Sequence, residues 1–224
     1  MHMEPGMVSA AKMVFAFATA TAAAGYTLKL AVADFKSHAS ASFALRTVLA
    51  MIGTFICFEV LPHFPVGVSE VHLILGTTLF LILGAAPTAI GLAAGLLIQS
   101  VFFAPTDLPM YFVNTTTLLM PLFVVDSMAR RLIPADRPYV DCSYGDVLKL
   151  SIAFQGGIVS WVAFWAIYGQ GFGADNLGQV ASFGGAYMLV IIVEPVADLA
   201  ALWLAKTLHR GAPSPFVTRR LHYT

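Results

Sequence analysis

Long apolar stretches alternate with short polar connections along almost the whole chain. A helix needs about 20 largely apolar residues to cross a lipid bilayer. The predicted spans are residues 10–32, 43–61, 71–84, 87–104, 110–129, 147–168 and 179–208. The pattern therefore predicts an all-α polytopic membrane protein with seven transmembrane helices. We expect a single domain over residues 1–224, with an N-terminal segment (1–9), the helix bundle (10–208) and a C-terminal tail (209–224).

The third and fourth predicted spans are short and are joined at Ala85-Ala86-Pro87. A re-entrant hairpin is the alternative to two full crossings at this point. Together the pair covers residues 71–104, which is close to the length that two crossings need and favours two spans.

The composition excludes several classes of protein. The chain has 224 residues, of which 58% are hydrophobic and 11% are charged, whereas soluble domains carry about 25% charged residues. A soluble globular enzyme, a disordered chain and a fibrous repeat are excluded. The formal net charge is zero, so bulk charge gives no reason to expect nucleic-acid binding. Two cysteines are too few for a disulfide framework or a thiolate metal site.

The distribution of Lys and Arg predicts the orientation in the membrane. If the N-terminus lies outside, Lys12 is the one basic residue on the outer side and the other eleven lie inside. Such an excess of positive charge marks the cytoplasmic side. With six spans one end of the chain would change sides and the asymmetry would collapse. We therefore expect seven spans, an outer N-terminus, a cytoplasmic tail and a retained first span, since that span lacks a basic n-region.

His2 directly follows Met1, and this position offers three nitrogens in a row. They are the α-amine of Met1, the deprotonated main-chain amide of His2 and the Nδ1 atom of its imidazole. Together they would form fused chelate rings in one plane, and a fourth nitrogen from another histidine would complete a square. This geometry suits Ni(II) or Cu(II) and can hold Co(II). A chance histidine at this position is the alternative.

Other metal-capable side chains fall on the same predicted outer face. His72 is predicted to open the third span, and an ionisable residue at the mouth of a membrane helix indicates a functional site. The alternative is an interfacial histidine beside a helix cap made by Ser69 or Glu70. We interpret His63 first as a loop residue.

Several short motifs resemble one family. Residues 1–6, Met-His-Met-Glu-Pro-Gly, resemble a Met-His-Ile-x-x-Gly start, and residues 67–73 resemble Gly-Thr-Ser-Gly-His-Leu. Residues 98–103, Ile-Gln-Ser-Val-Phe-Phe, resemble Leu/Ile-Gln-Ala-Leu-Phe-Phe, and Asn114 lies where a Gly-Ala-Asn segment is expected. These motifs belong to the cobalt/nickel substrate-binding membrane components of energy-coupling factor transporters, the CbiM/NikM family.

The resemblance implies a seven-helix protein whose N-terminus enters an outward-facing pocket. It implies metal ligands from Met1, His2 and His72, with Ni(II) or Co(II) as the transported ion. Three further residues are candidates for supporting or alternative ligands: His63, Glu70 and Asn114. The chain departs from the family's pattern twice, because Ser69-Glu70-Val71-His72 is one residue longer than Ser-Gly-His and Ala104-Pro105-Thr106-Asp107 replaces Gly-Asp-Gly-Gly.

The expected function is metal uptake rather than enzymatic catalysis. The resemblance implies a transmembrane coupling subunit and ATPase subunits as partners, in the inner (cell) membrane of a bacterium or archaeon. The chain contains no P-loop motif of its own. The alternative function is a secondary, proton-coupled ion transporter that uses Glu194 and Asp198, which share one face of the last span. For these two acids we also consider structural pairing, with Arg46 or Lys149 as the partner.

Overall fold

The computed structural model describes residues 2–36, 39–207 and 214–222. Its α-helices are α1 (Ala10–Phe35), α2 (Ser40–Phe55), α3 (Gly76–Leu83), α4 (Ala85–Phe102), α5 (Tyr111–Leu132), α6 (Tyr144–Gln170) and α7 (Ala174–Thr207). A π-helix (Ile56–Val60) extends α2, and short 3₁₀-helices occupy Pro105–Met110, Tyr139–Asp141 and Arg219–Leu221. Two strands, β1 (Phe64–Val66) and β2 (Ser69–Val71), form an antiparallel hairpin between α2 and α3.

Among the described residues, six helices are long and apolar enough to cross a membrane, which confirms an all-α polytopic membrane protein. The exception is α3, whose eight residues are about 12 Å long. The prediction that His72 opens a helix is wrong, because it follows β2 and precedes α3 by four positions. The count of seven crossings and the outer N-terminus remain predictions.

Gly84 makes the turn between α3 and α4, so the expected turn at Ala85-Ala86-Pro87 is wrong. The φ angle of Gly84 is 93°, a backbone conformation that glycine adopts without a Cβ clash. Pro87 then lies in the first turn of α4, where an N–H has no partner within the helix.

The short helix α3 begins inside the protein, and two acidic side chains of α7 accept hydrogen bonds from residues at its start. The carboxylate of Glu194 accepts hydrogen bonds from the main-chain N–H of Ile74 and from the side-chain amide of Gln155. The hydroxyl of Thr78 donates to Asp198. Irregular backbone at membrane depth is tolerated only where protein groups satisfy it. Glu194 and Asp198 therefore supply the hydrogen-bond acceptors that the residues at the start of α3 need inside the protein.

The expected pairing of these acids with Arg46 or Lys149 is wrong. Arg46 is fully buried and instead forms a two-pronged pair with Asp34, at N···O distances of 2.6 and 3.1 Å. It also donates to the carbonyl oxygen of Leu83 at the end of α3. Lys149 is exposed and lies 4.0 Å from Asp146. Arg46 thus joins α1, α2 and the end of α3.

Helices α2 and α4 approach closely because two glycines of α4 face α2. A Cβ atom added at Gly91 would lie 2.3 Å from the Cβ of Ala50, and one added at Gly95 would lie 2.7 Å from the Cβ of Thr54. Small residues allow the backbones of membrane helices to approach in this way. This contact places the π-helix after α2 beside the end of α4.

The two ends of the bundle differ in charge. The end that carries His2, here the acidic end, holds five carboxylates and Lys12 among the described residues; the carboxylates are Glu4, Glu59, Glu70, Asp107 and Asp175. The opposite, basic end carries ten of the twelve Lys and Arg residues, and Arg210 lies outside the described residues. The C-terminal segment covers this end: Thr218 N–H donates to the carbonyl oxygen of Ile82 at 2.7 Å, and Leu221 is buried.

Candidate metal site

The N-terminal segment pairs with strand β2 of the hairpin through a short antiparallel bridge. Met3 pairs with Ser69 in an antiparallel bridge, and the N–H of Glu4 donates to the carbonyl oxygen of Val68 at 3.2 Å. The carbonyl oxygen of His2 accepts from the Glu70 N–H at 2.9 Å and from the Ser69 hydroxyl at 3.0 Å. These main-chain bonds fix His2 beside Glu70.

The hairpin itself is held against α7 by its turn. Gly67 has a φ angle of 60°, the conformation expected at the first central position of a two-residue hairpin turn. A Cβ at this position would lie 2.1 Å from the carbonyl oxygen of Gln179. The next residue, Val68, is fully buried. The turn therefore needs glycine both for its backbone angle and for its close approach to α7.

Asn114 connects the N-terminal segment to α5. Its Oδ1 atom accepts a hydrogen bond of 2.8 Å from the main-chain N–H of Met3, and the side chain is fully buried. Asn114 was expected to support the site, and its side chain contacts Met3, the residue next to His2. Its contact is with the backbone that carries the histidine.

The side chains of His2, Glu70 and His72 meet at the centre of this arrangement. The Oε2 atom of Glu70 lies 2.9 Å from Nδ1 of His2 and 3.4 Å from Nε2 of His72. One ligand atom from each of the three residues lies within 4.8 Å of the others. Both histidines are almost completely buried, and their ring centroids are 5.1 Å apart.

Two aromatic rings pack around the cluster. The ring of His63 stacks on that of His72, with centroids 4.8 Å apart and planes 10° apart. Phe58, from the π-helix after α2, lies 5.4 Å from the ring of His2 and 4.8 Å from that of His72. His63 therefore lies beside the site. Phe58 was not predicted as a neighbour, because nothing in its apolar stretch of sequence distinguishes it.

Asp107 is a second carboxylate near His2 that was not included among the candidate ligands. Its Oδ2 atom lies 3.9 Å from Nδ1 of His2, and it belongs to the 3₁₀-helix before α5. The segment Ala104-Pro105-Thr106-Asp107 departs from the family's pattern. This departure was the sequence feature that could have drawn attention to Asp107. Met1, the remaining predicted ligand, lies outside the described residues, so its role stays a prediction.

The electrostatics of the cluster favour a bound cation. Burial lowers the pKa of His2, although the hydrogen bond with Glu70 opposes the shift. Burial also lowers the pKa of His72. Burial raises the pKa of Glu70, but the hydrogen bond and charge of His2 outweigh it and the net shift is downward. Neutral imidazoles and an ionised carboxylate are the forms that bind metal ions, and the acidic end attracts cations towards them.

The fold and the site together define a polytopic membrane protein with a cluster of nitrogen and oxygen ligands suited to a transition-metal ion. The chain belongs to the CbiM family, described as the cobalt uptake substrate-specific transmembrane region, which matches residues 2–210. This confirms the family that the motifs indicated. The protein is thus a membrane component of metal uptake.

A crystal structure described as a truncated transition metal transporter has a similar fold. It superimposes with a TM-score of 0.64 at 18% sequence identity, over 95% of this chain and 100% of that chain. At this identity the likeness establishes the fold alone. No curated protein matches the chain.

Proposed function

We propose that this protein captures Co(II) or Ni(II) at the acidic end of its helix bundle for uptake into the cell. In this proposal His2 and His72 are protein ligands, and the α-amine of Met1 and the main-chain amide of His2 supply the remaining nitrogens. The acidic end faces the outside, in the inner (cell) membrane of a bacterium or archaeon. The Lys and Arg residues of the basic end then lie in the cytoplasm, as the charge rule for membrane proteins requires.

The observation that carries this proposal is the convergence of His2 and His72 on the carboxylate of Glu70. The two histidines are 70 positions apart in the chain, yet both are buried and their rings are 5.1 Å apart. Burying the polar nitrogens of an imidazole costs free energy unless they bind a partner. Nδ1 of His2, the proposed ligand atom, lies 2.9 Å from Oε2 of Glu70, which gives it a polar partner inside the cluster.

The arrangement supports capture in a defined order. The acidic end raises the local concentration of cations. The ion then displaces the proton that His2 and Glu70 share, since a metal and a proton compete for the same nitrogen lone pair. The backbone pairing of the N-terminal segment with β2 holds His2 in place before the ion arrives, which reduces the entropy cost of binding.

Transport itself requires partners in this proposal. The chain has no P-loop motif, so nucleotide hydrolysis would come from ATPase subunits that act through a transmembrane coupling subunit. The polar connection between Glu194, Gln155 and the start of α3 is a structural feature of the bundle, and these contacts favour uptake with partners over the proton-coupled alternative. A proton-coupled transporter would need Glu194 to exchange protons while it holds the N–H of Ile74.

The test is metal binding by the full chain in lipid nanodiscs, measured by calorimetry and by metal analysis after desalting. We expect one Co(II) or Ni(II) ion per chain. Loss of a hydrogen-bonded supporting residue costs about 10–100-fold in affinity, so loss of a ligand in His2→Ala or His72→Ala should cost more than about 100-fold. One residue added before Met1 should have a similar effect, because it removes the α-amine from the chelate ring.

The matched control is His222→Ala, which removes a histidine at the basic end of the same chain. It should bind metal as the unaltered protein does. Unchanged binding in either His2→Ala or His72→Ala would contradict the proposed site.

A further inference from the structure

The carboxylate of Glu70 occupies an unusual position between the two buried histidines. One oxygen atom, Oε2, is the nearest acidic atom to both imidazoles, at 2.9 Å from His2 and 3.4 Å from His72. The backbone of Glu70 is held by the bond from its N–H to the carbonyl oxygen of His2. Glu70 thus contacts His2 through both its main chain and its side chain.

These distances match those between neighbouring ligands of one metal ion. Nitrogen and oxygen ligands bind such ions at about 2.0–2.2 Å. Two ligands at about 2.1 Å lie about 3.0 Å apart at a right angle and about 3.4 Å apart at a tetrahedral angle. The Glu70 oxygen therefore already has the spacing of a ligand adjacent to Nδ1 of His2 and to Nε2 of His72, and only small side-chain shifts would be needed around an ion.

Asp107 offers an internal comparison, because it is also acidic and also near His2. Its nearest oxygen lies 3.9 Å from Nδ1 of His2, which is longer than the spacing of adjacent ligands. The cluster of mutually close ligand atoms contains Glu70 and not Asp107 in the part of the chain that the structure describes. Asp107 contributes charge near the ion, whereas Glu70 is placed to touch it.

We propose that Glu70 is a direct oxygen ligand of the transported ion and that it shifts the selectivity of the site from Ni(II) towards Co(II). This inference rests on the proposed function at the same site. Planar sets of four nitrogens select Ni(II) and Cu(II). A carboxylate oxygen next to the two imidazoles adds a ligand outside such a set and produces a site of five or more mixed ligands. High-spin Co(II) accepts that coordination readily, whereas planar Ni(II) gains little from a further ligand.

The proposal concerns the relative affinity of the two ions. Nitrogen and oxygen sites in general bind Ni(II) more tightly than Co(II). Glu70 is expected to narrow this difference by strengthening the binding of Co(II), because the ion gains a charged ligand that it can use. Removing the carboxylate should therefore weaken Co(II) binding selectively.

The experiment compares Glu70→Gln, Glu70→Ala and Asp107→Asn with the unaltered full chain in nanodiscs. Dissociation constants for Co(II) and Ni(II) are measured separately by calorimetry. In both Glu70 variants the ratio of the Co(II) to the Ni(II) dissociation constant should rise at least about tenfold. In Asp107→Asn both constants should rise together and the ratio should stay unchanged, because the loss of a nearby charge affects two divalent ions equally.

X-ray absorption of the Co(II)-loaded proteins provides a second measurement. The unaltered protein should show a shell of mixed nitrogen and oxygen ligands, and Glu70→Ala should lose one oxygen from it. A ratio that stays unchanged in the Glu70 variants, or a Co(II) shell without the loss of an oxygen, would overturn the proposal.

The variant His72→Ala separates this inference from the proposed function. If His72→Ala abolishes binding while the Glu70 variants keep the metal ratio of the unaltered protein, the site stands and the role of Glu70 is wrong. If His72→Ala leaves binding intact, the proposed site itself is wrong.

Discussion

The main-chain N–H of Met3 donates a hydrogen bond of 2.8 Å to the Oδ1 atom of Asn114, and this bond joins the N-terminal segment to α5. We expect Asn114→Ala to lower metal affinity about 10–100-fold, because supporting hydrogen bonds orient ligands. Calorimetry with Co(II) and Ni(II) measures the loss. Thr117→Ala is the control on the same helix, since its buried hydroxyl donates to the backbone carbonyl of Val113. Equal losses in the two variants would mean that Asn114 acts through general stability.

Gly67→Ala should displace the hairpin from α7 and weaken metal binding. The change places a Cβ 2.1 Å from the carbonyl oxygen of Gln179 and puts a side chain at a φ angle of 60°. That backbone conformation alone costs roughly 1–2 kcal/mol for a residue with a Cβ. Calorimetry should show weaker binding of both ions, and thermal unfolding should show lower stability.

Gly185→Ala is the matched control for Gly67→Ala. An alanine Cβ at Gly185 meets no atom within 4 Å in the part of the chain that the structure describes, and the residue lies inside α7. Alanine is favoured over glycine by roughly 0.8–1.0 kcal/mol in a helix, so this variant should be slightly more stable. If Gly67→Ala binds metal as well as Gly185→Ala does, the hairpin does not position the site.

Glu194→Ala should destabilise the bundle, because it removes the acceptor for the N–H of Ile74 and for the amide of Gln155. Each buried donor left without a partner costs about 1–3 kcal/mol. Thermal unfolding in nanodiscs should therefore show a clear fall in Tm, whereas the lipid-facing change Val193→Ala should leave it near its original value. The proton-coupled alternative predicts, in addition to this fall in stability, ion flux in liposomes that is driven by a pH gradient without any ATPase and is lost in Glu194→Gln.

Arg46→Ala should be strongly destabilising, because Arg46 is fully buried and binds both Asp34 and the carbonyl oxygen of Leu83. Breaking a buried ion pair from one side costs about 3–5 kcal/mol. The double variant Arg46→Met with Asp34→Asn should recover much of that loss, since neither charge remains buried. Denaturation in detergent measures each step, with the exposed Arg131→Ala as control. A double variant no more stable than Arg46→Ala would show that the pair is not the source of the loss.

The contribution of the sequence to the fold was greatest for the long helices. Their apolar runs predicted α1, α2 and α4 to α7 to within a few residues, because a lipid bilayer requires about 20 apolar residues per crossing. The third predicted span, residues 71–84, differs from the short helix α3 that the structure contains, and the reason is physical. Hydropathy reports where a segment is apolar, but the start of α3 depends on two carboxylate acceptors from α7 that hydropathy does not register.

For the candidate site, the sequence predicted the residue types and the structure supplied their arrangement. His2, His63, Glu70, His72 and Asn114 were all chosen from the sequence, and all lie in or beside the cluster. Asp107 was not included among the candidate ligands, because the departure from the family's pattern marked its segment as unusual without indicating which residue it contacts.

The sequence by itself determined that the protein is a polytopic membrane protein, which family it resembles, and that its basic residues gather away from His2. Those properties are local or compositional, and each can be read one segment at a time. Only the tertiary structure decided that Glu70 lies between two histidines. It also decided that Asn114 accepts a hydrogen bond from the backbone of Met3 and that Glu194 accepts one just before α3. The contacts of Glu70 with His2, of Asn114 with Met3 and of Glu194 with Ile74 join residues 68 to 120 positions apart, and they arise because packed helices bring distant polar groups together where no water can satisfy them.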